Sequence, residues 1–261
     1  RLAERIEPPV SLDNDVIEFG LETQRGCVFK CEFCTYRTLS TINVMEVDEA
    51  AGRVANTRLA RRGLLTLTDA TATYPHDRWA DLLQRIIDRG GSPHPIWAFA
   101  RVSDITDRTA EIMARAGVRE LFIGQESGDQ RILNLMKKGT RVDQVKPAVR
   151  AISKHGMTAF LSFIHGFPGE DAESIAATRK MISELNQECP SRPVSLWYKL
   201  DPFVVFDFAA VAQNEMKGMS HYLGYSSAPF SPQRACSAVL ETFLATSRVP
   251  DAPVYEYVFG L

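Results

Sequence analysis

An alternation constrains this chain more than any other feature. Short apolar runs return along it, and each is followed by a segment with apolar residues at helical spacing. The runs are residues 15–23 (DVIEFGLET), 64–68 (LLTLT), 96–100 (IWAFA), 119–124 (RELFIG), 157–164 (MTAFLSFI) and 194–200 (VSLWYKL). Residues 47–62, 78–89, 106–116, 130–137, 142–155 and 171–187 place apolar side chains three and four apart, as one face of a helix requires. In 78–89 that face is Trp79, Leu82, Leu83, Ile86 and Ile87. Glycines close several of these segments, at Gly63, Gly90, Gly91, Gly117 and Gly139. Asp171 is suited to cap the one that follows it. Residues 235–246 read as one more helix.

Strands that alternate with helices form parallel sheets with right-handed crossovers. Six such units leave two α/β architectures, a doubly wound open sheet and a full or partial (β/α) barrel. No repeat of fixed period runs through them. A chain of 261 residues with 45% hydrophobic content can bury one large core. Its 30 basic and 32 acidic residues are well mixed and leave a net charge of −2, so no basic field argues for nucleic acid. No apolar stretch approaches the roughly 18 residues of a membrane span, and the first residues, RLAERIEPPV, are not a signal peptide. Neither nucleic acid nor a membrane is expected as a partner.

In both architectures the chemistry gathers at the C-terminal ends of the strands. After the first run come Cys27, Cys31 and Cys34 in the stretch RGCVFKCEFCTY, with a C-x3-C-x2-C spacing. The other two of the chain's five cysteines, Cys189 and Cys236, stand far from these and from each other. Thiolates are soft ligands that select zinc, copper(I) or iron–sulfur clusters. A structural zinc site takes four ligands, and the nearest histidine in the sequence is His76. Three thiolates on one short loop suit a 4Fe–4S cluster with one iron left open; zinc, and three unrelated cysteines, are the alternatives. An odd, clustered set argues against a disulfide framework, and an iron–sulfur reading implies the reducing cytoplasm. The later strand ends bring Asp69, then Arg101, then Glu126 and Ser127 in IGQESG, then His165 before GFPGE, then Lys199 and Asp201. A carboxylate between Gly124 and Gly128 suits recognition of a hydroxyl such as a ribose. GFPGE lacks the Lys-Ser/Thr ending of a phosphate-binding loop.

The cysteine spacing, with Phe33 just before the last thiol, resembles the radical SAM superfamily. LFIGQESGDQRILNLMKKG and FLSFIHGFPGED resemble that superfamily's fourth and fifth strand segments. The resemblance implies a six-stranded parallel partial (β/α) barrel over residues 15–200. It implies a 4Fe–4S cluster on Cys27, Cys31 and Cys34, with S-adenosylmethionine (SAM) chelating the open iron. Phe33 would lie near the adenine, Glu126 would bind the ribose, and backbone around Ile164 and Gly166 would hold the adenine. Arg101, Ser127 and Asp69 complete the expected cofactor-binding set. At Asp69 the chain has LTDATATY where many members carry Gly-Gly-Glu for the SAM amino group. Reductive cleavage of SAM would give methionine and a 5′-deoxyadenosyl radical.

A narrower likeness runs from ETQRGCVFKCEFCTYRTL, IGQESG and GFPGED to the cobalamin-dependent branch. It implies a methyltransferase acting on an unactivated carbon, with cobalamin bound mainly by a domain outside this chain. Residues 1–14 would then be the linker from that domain, and residues 201–261, with Phe203, Phe206, Phe208, Tyr222 and Tyr225, an extension over the barrel mouth. A cobalamin-independent methylthiotransferase or cyclase is the alternative within the superfamily. A non-catalytic zinc- or cluster-binding module is the alternative outside it. Expected partners are a small-molecule or peptide substrate and an electron donor such as flavodoxin or ferredoxin.

Overall fold

In the computed structural model, residues 18–38, 41–59, 63–188, 196–203 and 231–246 are described. Phe206, Phe208, Tyr222, Tyr225 and Cys189 lie outside them, as do residues 1–14. Six strands form one parallel sheet: β1 Glu18–Leu21, β2 Leu64–Leu67, β3 Ile96–Ala100, β4 Val118–Glu126, β5 Thr158–His165 and β6 Leu196–Pro202. Each strand pairs with the next in sequence, from β1 to β6. That order separates the two architectures. A doubly wound sheet reverses direction at a switch point, whereas a sheet that never reverses is a partial barrel, and this one is not closed.

The helices between the strands are α1 Val47–Asn56, α2 His76–Asp88, α3 Asp107–Ala116, α4 Gln130–Leu135, α5 Val145–Lys154 and α6 Ala172–Glu188. A last helix, α7 Pro232–Thr246, packs on β5, β6 and α6. Their ends follow local chemistry. Thr106 caps α3 by accepting the Thr109 N–H at 3.1 Å, and Gly117 ends it at φ 110°. A β-carbon there would lie 2.8 Å from that of Ser92, so only glycine turns the chain into β4. The first helix is shorter than its apolar spacing suggests. It stops at Asn56 because Thr57 takes an extended backbone, with its hydroxyl donating to the Arg53 carbonyl at 2.6 Å. The segment 142–155 begins as a 3-10 turn over Val142–Gln144 before α5.

Strand alternation divides the sheet into two faces. Ile96, Ala98, Leu121, Ile123, Ala159 and Leu161 turn toward the helices and are fully buried with Leu82, Ile86, Met113 and Ile152. The opposite, concave face keeps partial exposure along β3, β4 and β6. No helix among the described residues is long and apolar enough to cross a membrane.

Candidate functional site

The cysteine loop leaves β1 through a turn that Asp69, just beyond β2, holds in place. One Asp69 oxygen accepts the Thr23 and Gln24 N–H groups at 2.7 and 2.9 Å, and the other accepts the Thr23 hydroxyl at 2.6 Å. Burial raises the Asp69 carboxyl above its usual range, and these bonds oppose the shift. Arg78 adds bonds to the Thr23 and Met45 carbonyls at 2.9 and 3.2 Å. Gly26 then turns at φ 101°, where a β-carbon would lie 1.9 Å from the Thr41 oxygen. Asp69 therefore frames the cysteine loop and gives both oxygens to it.

Cys31 is 7% exposed, Cys27 and Cys34 are partly buried, and all are free thiols. The Cys34 N–H donates to the Cys31 carbonyl at 3.2 Å, and the Glu32 N–H donates to the Met136 carbonyl at 2.9 Å, tying the loop to the end of α4. Burial raises the Cys27 and Cys34 thiols, and the neighbouring cysteines raise them further. Lys138 opposes both shifts, and Arg101 opposes that of Cys27. The thiols thus stand within one another's fields, beside cationic side chains. Among the described residues no group of three or more His, Cys, Asp or Glu side chains converges to hold one metal ion. A cubane spreads its thiolates over different irons, so this donor set of three free thiols on a short loop fits a cluster better than a single-ion cage.

Glu126 ends β4 at φ 71°, a left-handed backbone that few non-glycine residues adopt. The register with β5 slips between Gly124 and Glu126, which swings the carboxylate over the strand end. Its Oε1 meets Lys138 Nζ at 2.8 Å, with both side chains nearly buried. Gly124 makes room, since a β-carbon there would lie 2.2 Å from that oxygen. Lys138 Nζ also stands 5.5 Å from the Phe33 ring centroid. Phe33 and Ile164 pack against a buried cluster of Ile132, Met136, Phe167 and Phe203. Arg101, at the end of β3, lays its guanidinium carbon 3.6 Å over the Phe29 ring and donates to the Lys138 carbonyl.

Gly166 takes φ 92°, and its N–H donates to the Glu170 carboxylate. A β-carbon on Gly166 would lie 2.6 Å from that of Ala235 in α7. Burial pushes the Glu170 carboxyl up to about 7. Ser127 is turned away from the cysteines: its Oγ accepts the Asp129 N–H at 3.1 Å and lies 3.5 Å from Thr178 Oγ1 on α6. His165 faces the helices, 2.9 Å from Thr242 Oγ1, and burial holds it down at about 4 and neutral.

The strand ends therefore bring Cys27, Cys31, Cys34, Phe33, Arg101, Glu126 and Ile164 to one site, with Gly166 beside it. Asp69 and Ser127 serve its frame. Two residues that the sequence reading passed over join the site: Lys138, which links Glu126 to Phe33, and Glu170, which ties down Gly166. Lys138 stands in MKKG, which reads as a solvated helix end; Glu170 is four residues from its partner in GFPGE, a spacing that hinted at the contact.

The family model of the Radical SAM superfamily matches residues 21–182. An uncharacterized methyltransferase of Pyrococcus horikoshii is 28% identical over 188 residues, covering 66% of this chain and 38% of that protein. The anaerobic magnesium-protoporphyrin IX monomethyl ester cyclase of Rubrivivax gelatinosus is 25% identical over 174 residues, covering 63% of this chain and 30% of that protein. The chain thus spans well under half the length of these relatives. Among solved structures, the radical S-adenosylmethionine methyltransferase TsrM of Kitasatospora setae, with tryptophan and a SAM analogue bound, superposes with a TM-score of 0.68 at 16% identity. That match covers 87% of this chain and 52% of TsrM, and shows a shared fold. With the family model spanning most of the sheet and the three thiols at the end of its first strand, this chain belongs to the radical SAM superfamily.

Proposed function

We propose that this chain is the catalytic core of a cobalamin-dependent radical SAM methyltransferase acting on an unactivated carbon. The observation that carries the reading is the meeting of three free thiols with Glu126, Phe33 and Ile164 at one set of strand ends. Cys27, Cys31 and Cys34 would hold the 4Fe–4S cluster and leave one iron open. Glu126 offers a carboxylate to ribose hydroxyls, released from Lys138 or sharing it. Phe33, Ile164 and the backbone at Gly166 would flank the adenine, and Arg101 bridges the cysteine loop to the 137–139 loop. The cluster, SAM and cobalamin, when bound, supply the electron, the radical and the methyl group. The protein's own share is to position them and to exclude water from the thiols, two of which burial already keeps above their usual range.

The methyltransferase assignment is supported by the Pyrococcus relative and by the fold shared with TsrM. Cobalamin would be held mainly by residues outside this chain, an electron donor such as flavodoxin or ferredoxin would reduce the cluster, and both steps suit the cytoplasm. The test is anaerobic reconstitution of the full-length protein with cobalamin and methyl-labelled SAM. Label appearing in methylcobalamin is the expected result. SAM cleaved to 5′-deoxyadenosine with no cobalamin bound would place the protein with the cobalamin-independent enzymes, a methylthiotransferase or a cyclase.

A further inference from the structure

The concave face of the sheet carries a row of aromatic rings that the proposed function leaves unused. Leu121, Ile123 and Leu161 point to the helices and are fully buried. Phe99, Phe122 and Trp197 point the other way and keep partial exposure, while Phe160 between them is 9% exposed. The sheet register sets these four rings side by side, Phe99 against Phe122, Phe122 against Phe160 and Phe160 against Trp197. Ring centroids are 5.2, 5.2 and 6.3 Å apart, with interplanar angles of 69°, 22° and 30°. The row therefore spans four of the six strands as one apolar floor.

Its place in the barrel gives it meaning. One step toward the strand ends, Gly124 pairs with Ser162, and Ser162 with Lys199. Ser162 is small, whereas the space over Gly124 is taken by the Glu126 carboxylate and Lys138 Nζ, which form a polar edge above Phe122. The next step carries Glu126 and Ile164, the side chains read above as facing SAM. At the end of β6, Lys199 Nζ and Asp201 Oδ2 stand 2.7 Å apart with side chains 35% and 27% exposed, a cation and a carboxylate at the rim. Packing alone would close over such rings, as it does on the helix side. Rings left partly open in a concavity beside a reactive site offer π faces to a ligand, and aromatic pairs favour stacked or edge-on partners.

We infer that this row is the floor of the substrate site, and that the substrate is a planar aromatic ring system with a polar substituent for Lys199 or Asp201. The inference rests on the reading that SAM lies at the strand ends, since a substrate on this floor would sit directly beneath it. Isothermal titration of the reconstituted full-length protein with 2-naphthoate and decahydro-2-naphthoate isolates planarity, because the two probes share a carboxylate. The flat probe is expected to bind at least about tenfold more tightly, and Phe122→Leu and Phe160→Leu each to weaken it by about tenfold. Thermal melts verify that the variants fold; Trp197→Leu, at the edge of the row, serves if either does not. Equal affinities, no saturable binding of 2-naphthoate, or affinity unchanged in every folded variant would overturn the inference. SAM cleavage by the unaltered protein is measured alongside. Cleavage without preference for the flat probe overturns the substrate class alone, and preference without cleavage overturns the SAM reading alone.

Discussion

The ion pair between Lys138 and Glu126 ties the 137–139 loop to the end of the fourth strand, beside Phe33 of the cysteine loop, and its removal has a calculable cost. The charges stand 2.8 Å apart, with side chains 11% and 7% exposed. At an effective dielectric of about 20 their attraction is about 6 kcal/mol. Taking two charges out of water costs several kcal/mol each, so the intact pair contributes little net stability, whereas stripping one partner costs about 3–5 kcal/mol. Lys138→Met keeps the stem beside Phe33 and leaves the Glu126 carboxylate alone. Glu126→Gln leaves the ammonium alone and keeps the same left-handed backbone. The double variant leaves neither charge. Urea unfolding of the cluster-free protein near neutral pH should therefore show single losses of about 3 kcal/mol or more and a double loss smaller than their sum by about 2 kcal/mol. Losses that add within about 0.5 kcal/mol would show that the two charges do not depend on each other, and the link across the site would be refuted.

Glu170 and His165 should act oppositely on stability. The Glu170 carboxyl rises from 4.5 to about 7 in the folded protein. Its contribution is full below the unfolded value and is lost as pH climbs toward 7, by about 3 kcal/mol. His165 falls from 6.5 to about 4, so its contribution is present above the unfolded value and is lost as pH drops. The two slopes oppose each other between them, and Glu170→Gln should expose a stability that rises with pH; a slope unchanged from the parent would count against the Glu170 assignment. Asp69→Ala removes the acceptor of three bonds to Thr23 and Gln24 and should cost about 2–3 kcal/mol in urea unfolding. It should also lower the iron retained per chain after reconstitution. Gly26→Ala forces a β-carbon onto the Thr41 carbonyl at a positive φ and should cost at least about 2 kcal/mol, read by the same unfolding curves.

The strands were legible because each apolar run packs one whole face against helices. IWAFA, for example, buries Ile96, Ala98 and Ala100 and leaves Trp97 and Phe99 for the concave side. Periodicity alone left their lateral order open, because neighbours in a parallel sheet are chosen by packing between distant segments; the resemblance to the radical SAM superfamily implied the sequential order that the sheet has. β4 runs two residues beyond RELFIG to Glu126, since the bulge lets pairing with β5 resume, and no local signal marks that. In the site, Cys27, Cys31 and Cys34 were visible from spacing alone, and Glu126 from its flanking glycines. The use of Asp69 was not, because Thr23 lies 46 residues away in sequence. Lys138 escaped notice because a lysine's burial depends on a partner that the fold supplies.

The central claim is that the three thiols hold an iron–sulfur cluster that acts on SAM. Its most direct test is anaerobic reconstitution of the parent and of Cys31→Ala, with iron and sulfide counted and 5′-deoxyadenosine measured under reducing conditions. The account predicts about four irons and SAM cleavage in the parent, and loss of both the 4Fe–4S absorption and cleavage in the variant. A variant that keeps cluster absorption and normal cleavage, or a parent that takes up about one zinc and no iron, would contradict it.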